Sequence, residues 1–209
     1  MIPLIFAFFI FIPAAFSETV ESYLAKGKES AKAGDYKKAI REYNEALVLE
    51  PNNLEAHLFL GLVYAETDDL DQALAYGQKA SQLEPSYVAF YNLGLIHAAR
   101  KEAALSLGAF EEALRFNPKS FTAEYQKGLV LMDMKDNEKA AQAFRKSLEL
   151  NPQFGDARLA LGALSYEKGD KWGASKQIAE LRKAHRQDLA KGLEDWVKEK
   201  EAEKKSGKR

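Results

Sequence analysis

Residues 121–154 read FTAEYQKGLVLMDMKDNEKAAQAFRKSLELNPQF, and the pattern in this stretch decides the fold. Small residues stand at Gly128 and Ala140, a large one at Phe144, a breaker pair at Lys135-Asp136 and a proline at Pro152. Proline cannot continue a helix and pushes the residue before it out of helical conformation, so Pro152 ends what precedes it. Small side chains let two backbones approach, and the bulky residue four positions past the alanine fills the gap beside them. The stretch predicts helix, turn, helix, stop.

Outward from it the pattern repeats. Pro51, Pro85, Pro118 and Pro152 are spaced by 34, 33 and 34, and the other two prolines lie near the N-terminus. Gly27, Gly61, Gly94, Gly128 and Gly162 keep the same beat, as do Ala39, Ala73, Ala140 and Ala174, with Ser106 in the third place. Tyr43, Phe110, Phe144 and Ile178 follow four residues behind, but the second copy has Gly77 there. Asn53, Ser86 and Ser120, each shortly after a proline, are expected N-caps. Gly34-Asp35, Asp68-Asp69, Lys135-Asp136 and Gly169-Asp170 are the expected breaks within each copy, with Asp69 and Gln72 as a capping-box pair.

On these residues the chain resembles the tetratricopeptide repeat family, whose unit carries a large residue, Leu-Gly, a Tyr, a central Ala, an aromatic, an Ala and a terminal Pro. Leu60-Gly61 with Tyr64, Leu93-Gly94 with His97, and Leu161-Gly162 with Ser165 show faithful and loose copies. The resemblance implies an all-α fold: a right-handed α-solenoid of about five helix-turn-helix units at 20–53, 54–86, 87–120, 121–154 and 155–188. It departs from the family at Gly77, at Ser106 with no Gly-Asp turn at Lys101-Glu102, and at Leu181, where a small residue is usual.

An array of this kind exposes its end unless an atypical element closes it. Leu189, Leu193, Trp196 and Val197 form an amphipathic stripe with Lys191, Glu194 and Lys198 between them, so a capping helix is expected over 189–200. The remainder, 201–209, is charged and expected to be disordered. At the other end, MIPLIFAFFIFIPAAFS at 1–17 carries no charged side chain. Ala15 and Ser17 suit a signal peptidase, so a cleaved signal peptide ending at Ser17, and a periplasmic or secreted protein, are expected. An uncleaved membrane anchor is the alternative. It is disfavoured because a spanning helix wants about 20 apolar residues.

Thirty Lys plus Arg against thirty-one Asp plus Glu leave a formal charge of -1, so no global field draws in nucleic acid or an anionic membrane. With no cysteine there are no disulfides, thiol nucleophiles or iron-sulfur sites. His57, His97 and His185 fall at unrelated repeat positions with no carboxylate in a metal or triad pattern. No catalytic, metal or cofactor set is expected, and an enzyme is not.

The remaining candidate is the groove lined by the first helices of successive units. In similar proteins the second, fifth, sixth, ninth, twelfth and thirteenth positions of each unit face it. That register implies a peptide groove of Leu58, Phe59, Leu62, Tyr91, Asn92, Leu95, Tyr125, Gln126 and Leu129. Its middle is apolar and aromatic, and the amides of Asn92 and Gln126 can hydrogen-bond a peptide backbone in both directions. The family's terminal-carboxylate clamp is not carried over, because Leu58, Phe59, Leu62, Tyr91 and Leu95 stand where its polar residues are required. The expected function is a non-catalytic scaffold or assembly factor that holds a peptide or helix of a partner protein. A structural part of an envelope complex, or a homo-oligomer built through the convex face or cap, is the alternative.

Overall fold

The computed structural model describes residues 18–207, so the expected signal peptide lies outside the described residues. Among the described residues there are eleven helices and no strand: α1 Val20–Lys32, α2 Tyr36–Leu49, α3 Leu54–Glu66, α4 Leu70–Leu83, α5 Tyr87–Ala99, α6 Ala103–Phe116, α7 Phe121–Asp133, α8 Asn137–Leu150, α9 Gly155–Glu167, α10 Lys171–Lys183 and α11 Gln187–Lys205. Consecutive helices pack as pairs, and each pair's second helix packs on the first helix of the next. First helices also touch along one side, α1 to α3, α3 to α5 and α9 to α11. The result is an α-solenoid.

The proline rule acts at each joint between pairs. Glu50, Glu84, Asn117 and Asn151 precede the prolines, and all four leave helical geometry at φ −136, −148, −134 and −137 with ψ from 85 to 100. Two or three residues later Asn53, Ser86 and Ser120 accept from the backbone N–H of Ala56, Ala89 and Ala123 and start the next first helix. Each second helix starts behind a residue in the left-handed region: Gly34, Asp68, Lys101, Lys135 and Gly169, with φ between 61 and 85. Lys101-Glu102 thus makes the same turn without glycine. The carboxylate of Asp69 accepts from the Gln72 N–H at 3.3 Å, but the Asp69 N–H already donates to the Tyr64 carbonyl at 2.9 Å. The capping pair is therefore one-sided.

Within pairs one and four the aromatic lies on the glycine, Tyr43 over Gly27 and Phe144 over Gly128, and pair three repeats it with Phe110 over Gly94. A Cβ on Gly94 would stand 2.6 Å from the Phe110 ring, so nothing larger fits unmoved. Ser106 replaces the alanine at no hydrogen-bond cost, because its fully buried hydroxyl donates to the Gly94 carbonyl at 2.8 Å. In pair two the space beside Gly77 is filled from the next pair, by Ile96 and Leu93. In pair five Leu193 of α11 covers Gly162, and Leu181 is fully buried against the last helix.

The expected end of the cap at 200 requires correction, and so does the disorder expected from 201, as far as Lys205. α11 continues to Lys205, because its last turns have partners: Glu201 takes Lys171 at 2.5 Å, Lys200 takes Glu203 at 2.9 Å, and Lys204 lies over the Tyr166 ring. Its joint to α10 also differs, since His185 sits in the left-handed region there and no proline is present.

Candidate peptide-binding groove

The nine expected groove residues fall on three first helices: Leu58, Phe59 and Leu62 on α3, Tyr91, Asn92 and Leu95 on α5, and Tyr125, Gln126 and Leu129 on α7. Eight of them are half-buried and Asn92 is buried. The aromatic members are seated rather than free. Phe59 stacks on Tyr43 at 5.3 Å, Tyr91 meets Phe110 edge-on at 5.6 Å, and Tyr125 lies 5.8 Å from Phe144 and 5.1 Å from Phe154. Each ring thus continues the glycine-aromatic core and presents its remaining surface outward. Leu58, Leu62 and Leu95 belong to no core cluster.

Two polar features accompany this face. The Asn92 side chain is 6% exposed, and its Nδ2 has no hydrogen-bond partner. A buried amide donor left unpaired is destabilising, so such a group commonly marks a place for water or a ligand. At the N-terminal end Lys28 donates to Glu55 at 2.6 Å and lies 5.0 Å from the centre of the Phe59 ring. Burial, and then the charge of Asp156, pushes the Tyr125 phenol up from its ordinary range; burial, and then Glu55, pushes Tyr43 up to about 12. Both are neutral at physiological pH.

The histidines take unrelated places. His57 Nε2 sits 3.0 Å from the Pro51 carbonyl, and His185 occupies its turn. The sequence pattern left His97 without a carboxylate, but the turn brings Glu102 to 2.7 Å from its Nδ1. Arg100 then joins Glu102 at 2.9 Å and Asp71 of the previous pair at 2.6 Å. His97, and then Arg100, hold the Glu102 carboxyl below its usual range. This is a strap between pairs. Among the described residues no group of three or more His, Asp or Glu is arranged to hold a metal, and no helix is long and apolar enough to cross a membrane.

A cavity of about 670 Å³ lies elsewhere, between α6, α7 and α8, and contains none of the nine residues. Six of its eight charged lining side chains are paired with one another: Lys127 with Glu124 at 2.7 Å, Lys139 with Asp136 at 2.9 Å and Lys146 with Glu149 at 3.0 Å. The Glu124–Lys127 pair escaped the sequence pattern because adjacent charges on a helix ordinarily face water.

Family models carry the last step. A model described as TPR repeat matches residues 27–68, and two described as tetratricopeptide repeat match 54–87 and 121–154. The chain carries tetratricopeptide repeats. Among curated proteins, this repeat chain is 34% identical over 104 residues to photosystem I assembly protein Ycf3 of Acaryochloris marina (strain MBIC 11017), covering 48% of this chain and 63% of that protein. It is 44% identical over 62 residues to tetratricopeptide repeat domain-containing protein PYG7, chloroplastic, of Arabidopsis thaliana, covering 29% of this chain and 21% of that one. The chain therefore spans less than two thirds of the length of these relatives. Among solved structures, a crystal structure of MamA is 28% identical with a TM-score of 0.69, covering 78% of this chain and 95% of that one. MamA from Desulfovibrio magneticus RS-1, 23% identical with a TM-score of 0.72 over 82% of this chain and 98% of that one, shares the fold.

Proposed function

We propose that this tetratricopeptide array is a non-catalytic scaffold or assembly factor that holds an apolar peptide or helix of a partner protein across α3, α5 and α7. The observation that carries the reading is the contiguous half-buried apolar face with one buried, unpaired amide, Asn92, within it. Apolar area supplies the binding free energy and the Asn92 donor supplies orientation, by taking a partner carbonyl. The role printed for Ycf3, photosystem I assembly, supports an assembly role of this general kind. The chain works outside the cytoplasm in this reading, on the strength of the charge-free segment at 1–17. Fractionation with N-terminal sequencing tests that part, and a mature protein still starting at Met1 contradicts cleavage at Ser17.

Tyr91 and Tyr125 also support the core, so truncating them confounds folding with binding. The cleaner pair is Leu62→Ser with Leu95→Ser. Pull-down of partners by the native protein should fall at least about tenfold, as expected for losing two buried apolar anchors. Equal recovery of partners by the two proteins refutes the groove. A second reading, self-association through the convex side, is favoured by Trp172 and Leu105, 74% and 58% exposed on the second helices α10 and α6. Light scattering separates the two: a mass independent of concentration disfavours self-association.

A further inference from the structure

At the closed end of the array, Tyr166 of α9, Lys171 of α10 and Glu201, Lys204 and Lys205 of α11 line a cavity of about 230 Å³. Tyr166 is 2% exposed, and its hydroxyl is buried with no hydrogen-bond partner. The ring is firmly seated, with Trp196 edge-on at 5.7 Å and the Lys204 ammonium 4.9 Å from its centre. The phenol therefore offers a donor in a fixed place. Lys171 is paired with Glu201 at 2.5 Å, and Glu201 is the one carboxylate among the described residues lining the cavity. Three ammonium groups thus share one acidic side chain. The imbalance is visible at Glu201, whose carboxyl is held below its usual range by its hydrogen bond to Lys171, with Lys205 and Lys204 adding to the effect.

We infer that this cavity binds a phosphate-class oxyanion, with the Tyr166 hydroxyl donating one hydrogen bond, Lys204 and Lys205 supplying charge, and Lys171 shared between the ligand and Glu201. The lining has donors to spare and a single acceptor already engaged, which excludes a cation and suits a group with several acceptor oxygens. Glu201 is the built-in competitor. The phosphate is either a free ion or the headgroup of an acidic lipid. The inference is independent of the groove, which lies on α3, α5 and α7, so groove variants leave it unchanged.

Phosphorus NMR of inorganic phosphate titrated with the purified protein, at ionic strength held constant with chloride, tests the site. Saturable broadening is expected. Tyr166→Phe keeps the net charge and removes only the hydroxyl, so binding should weaken about tenfold, the worth of one hydrogen bond to an ion. Glu201→Gln should tighten it. Co-sedimentation with phosphatidylcholine vesicles, with and without phosphatidic acid, distinguishes the headgroup from the free ion. Binding unchanged in Tyr166→Phe, or no saturable binding to either phosphate source, overturns the assignment. Removing an unpaired buried hydroxyl should leave Tyr166→Phe folded; if it does not fold, Lys204→Gln takes its place, and unchanged binding there overturns the site equally.

Discussion

Units one, three and four lay a ring on a glycine to join their two helices, whereas unit two has glycine at both places, Gly61 and Gly77. Yet unit two is no less closed: Gly61 and Gly77 are buried, and Ile96 and Leu93 from unit three occupy the room a ring would take. The difference shows that what the repeat requires is filled volume at that depth, from whichever unit supplies it. Tyr76, one position before Gly77, has moved its ring sideways to stack on Tyr64 at 5.5 Å and to donate to Asn44 of unit one at 3.4 Å. Unit two thus depends on its neighbour where units one, three and four do not, and unit five depends in the same way on Leu193 of α11.

This contrast can be broken experimentally. The largest effect is expected for Phe144→Ala, which empties a fully buried site and should cost roughly 3–5 kcal/mol in urea denaturation. A midpoint close to that of the parent would mean the ring on Gly128 is ornamental. Next comes Gly128→Ala, where the new methyl would stand 2.5 Å from the Phe144 ring and overpacking should cost about 1–3 kcal/mol. Gly61→Ala sharpens the comparison, because its methyl would stand 3.4 Å from the Ala73 carbonyl oxygen in ordinary contact. It should raise stability by about 0.5–1 kcal/mol through its helix preference. If the two glycine variants shift the midpoint alike, the distinction between the units is wrong. The smallest effect is expected for Lys135→Gly, which relieves a left-handed backbone at φ 64 and should gain about 0.5 kcal/mol, visible as a melting temperature higher by about 1–2 °C.

Much of this was legible in the chain because helix punctuation is local. A proline acts on its own turn, and a glycine or alanine at fixed spacing implies close helices whatever surrounds them. The turn at Lys101-Glu102 was harder to read, since a lysine can adopt the left-handed region when the flanking helices impose it, and composition gives no sign of that. The length of α11 was also hidden: Lys171 and Glu201 are thirty residues apart, and their pairing exists only once α9, α10 and α11 have stacked. The groove register placed nine residues on three neighbouring helices, but only the packed structure shows that Asn92 is buried without a partner while Gln126 is half-buried.

The joint before α11 has a consequence for how such a chain could change in length. Every earlier junction carries a proline behind a residue out of helical geometry; the last uses a left-handed His185 and places Arg186 where the spacing would put the next proline. A joint of that kind offers no equivalent place at which a further copy of the unit could be spliced in. α9, α10 and α11, tied by Leu193 over Gly162 and by the Lys171–Glu201 pair, would have to move together in any change of length.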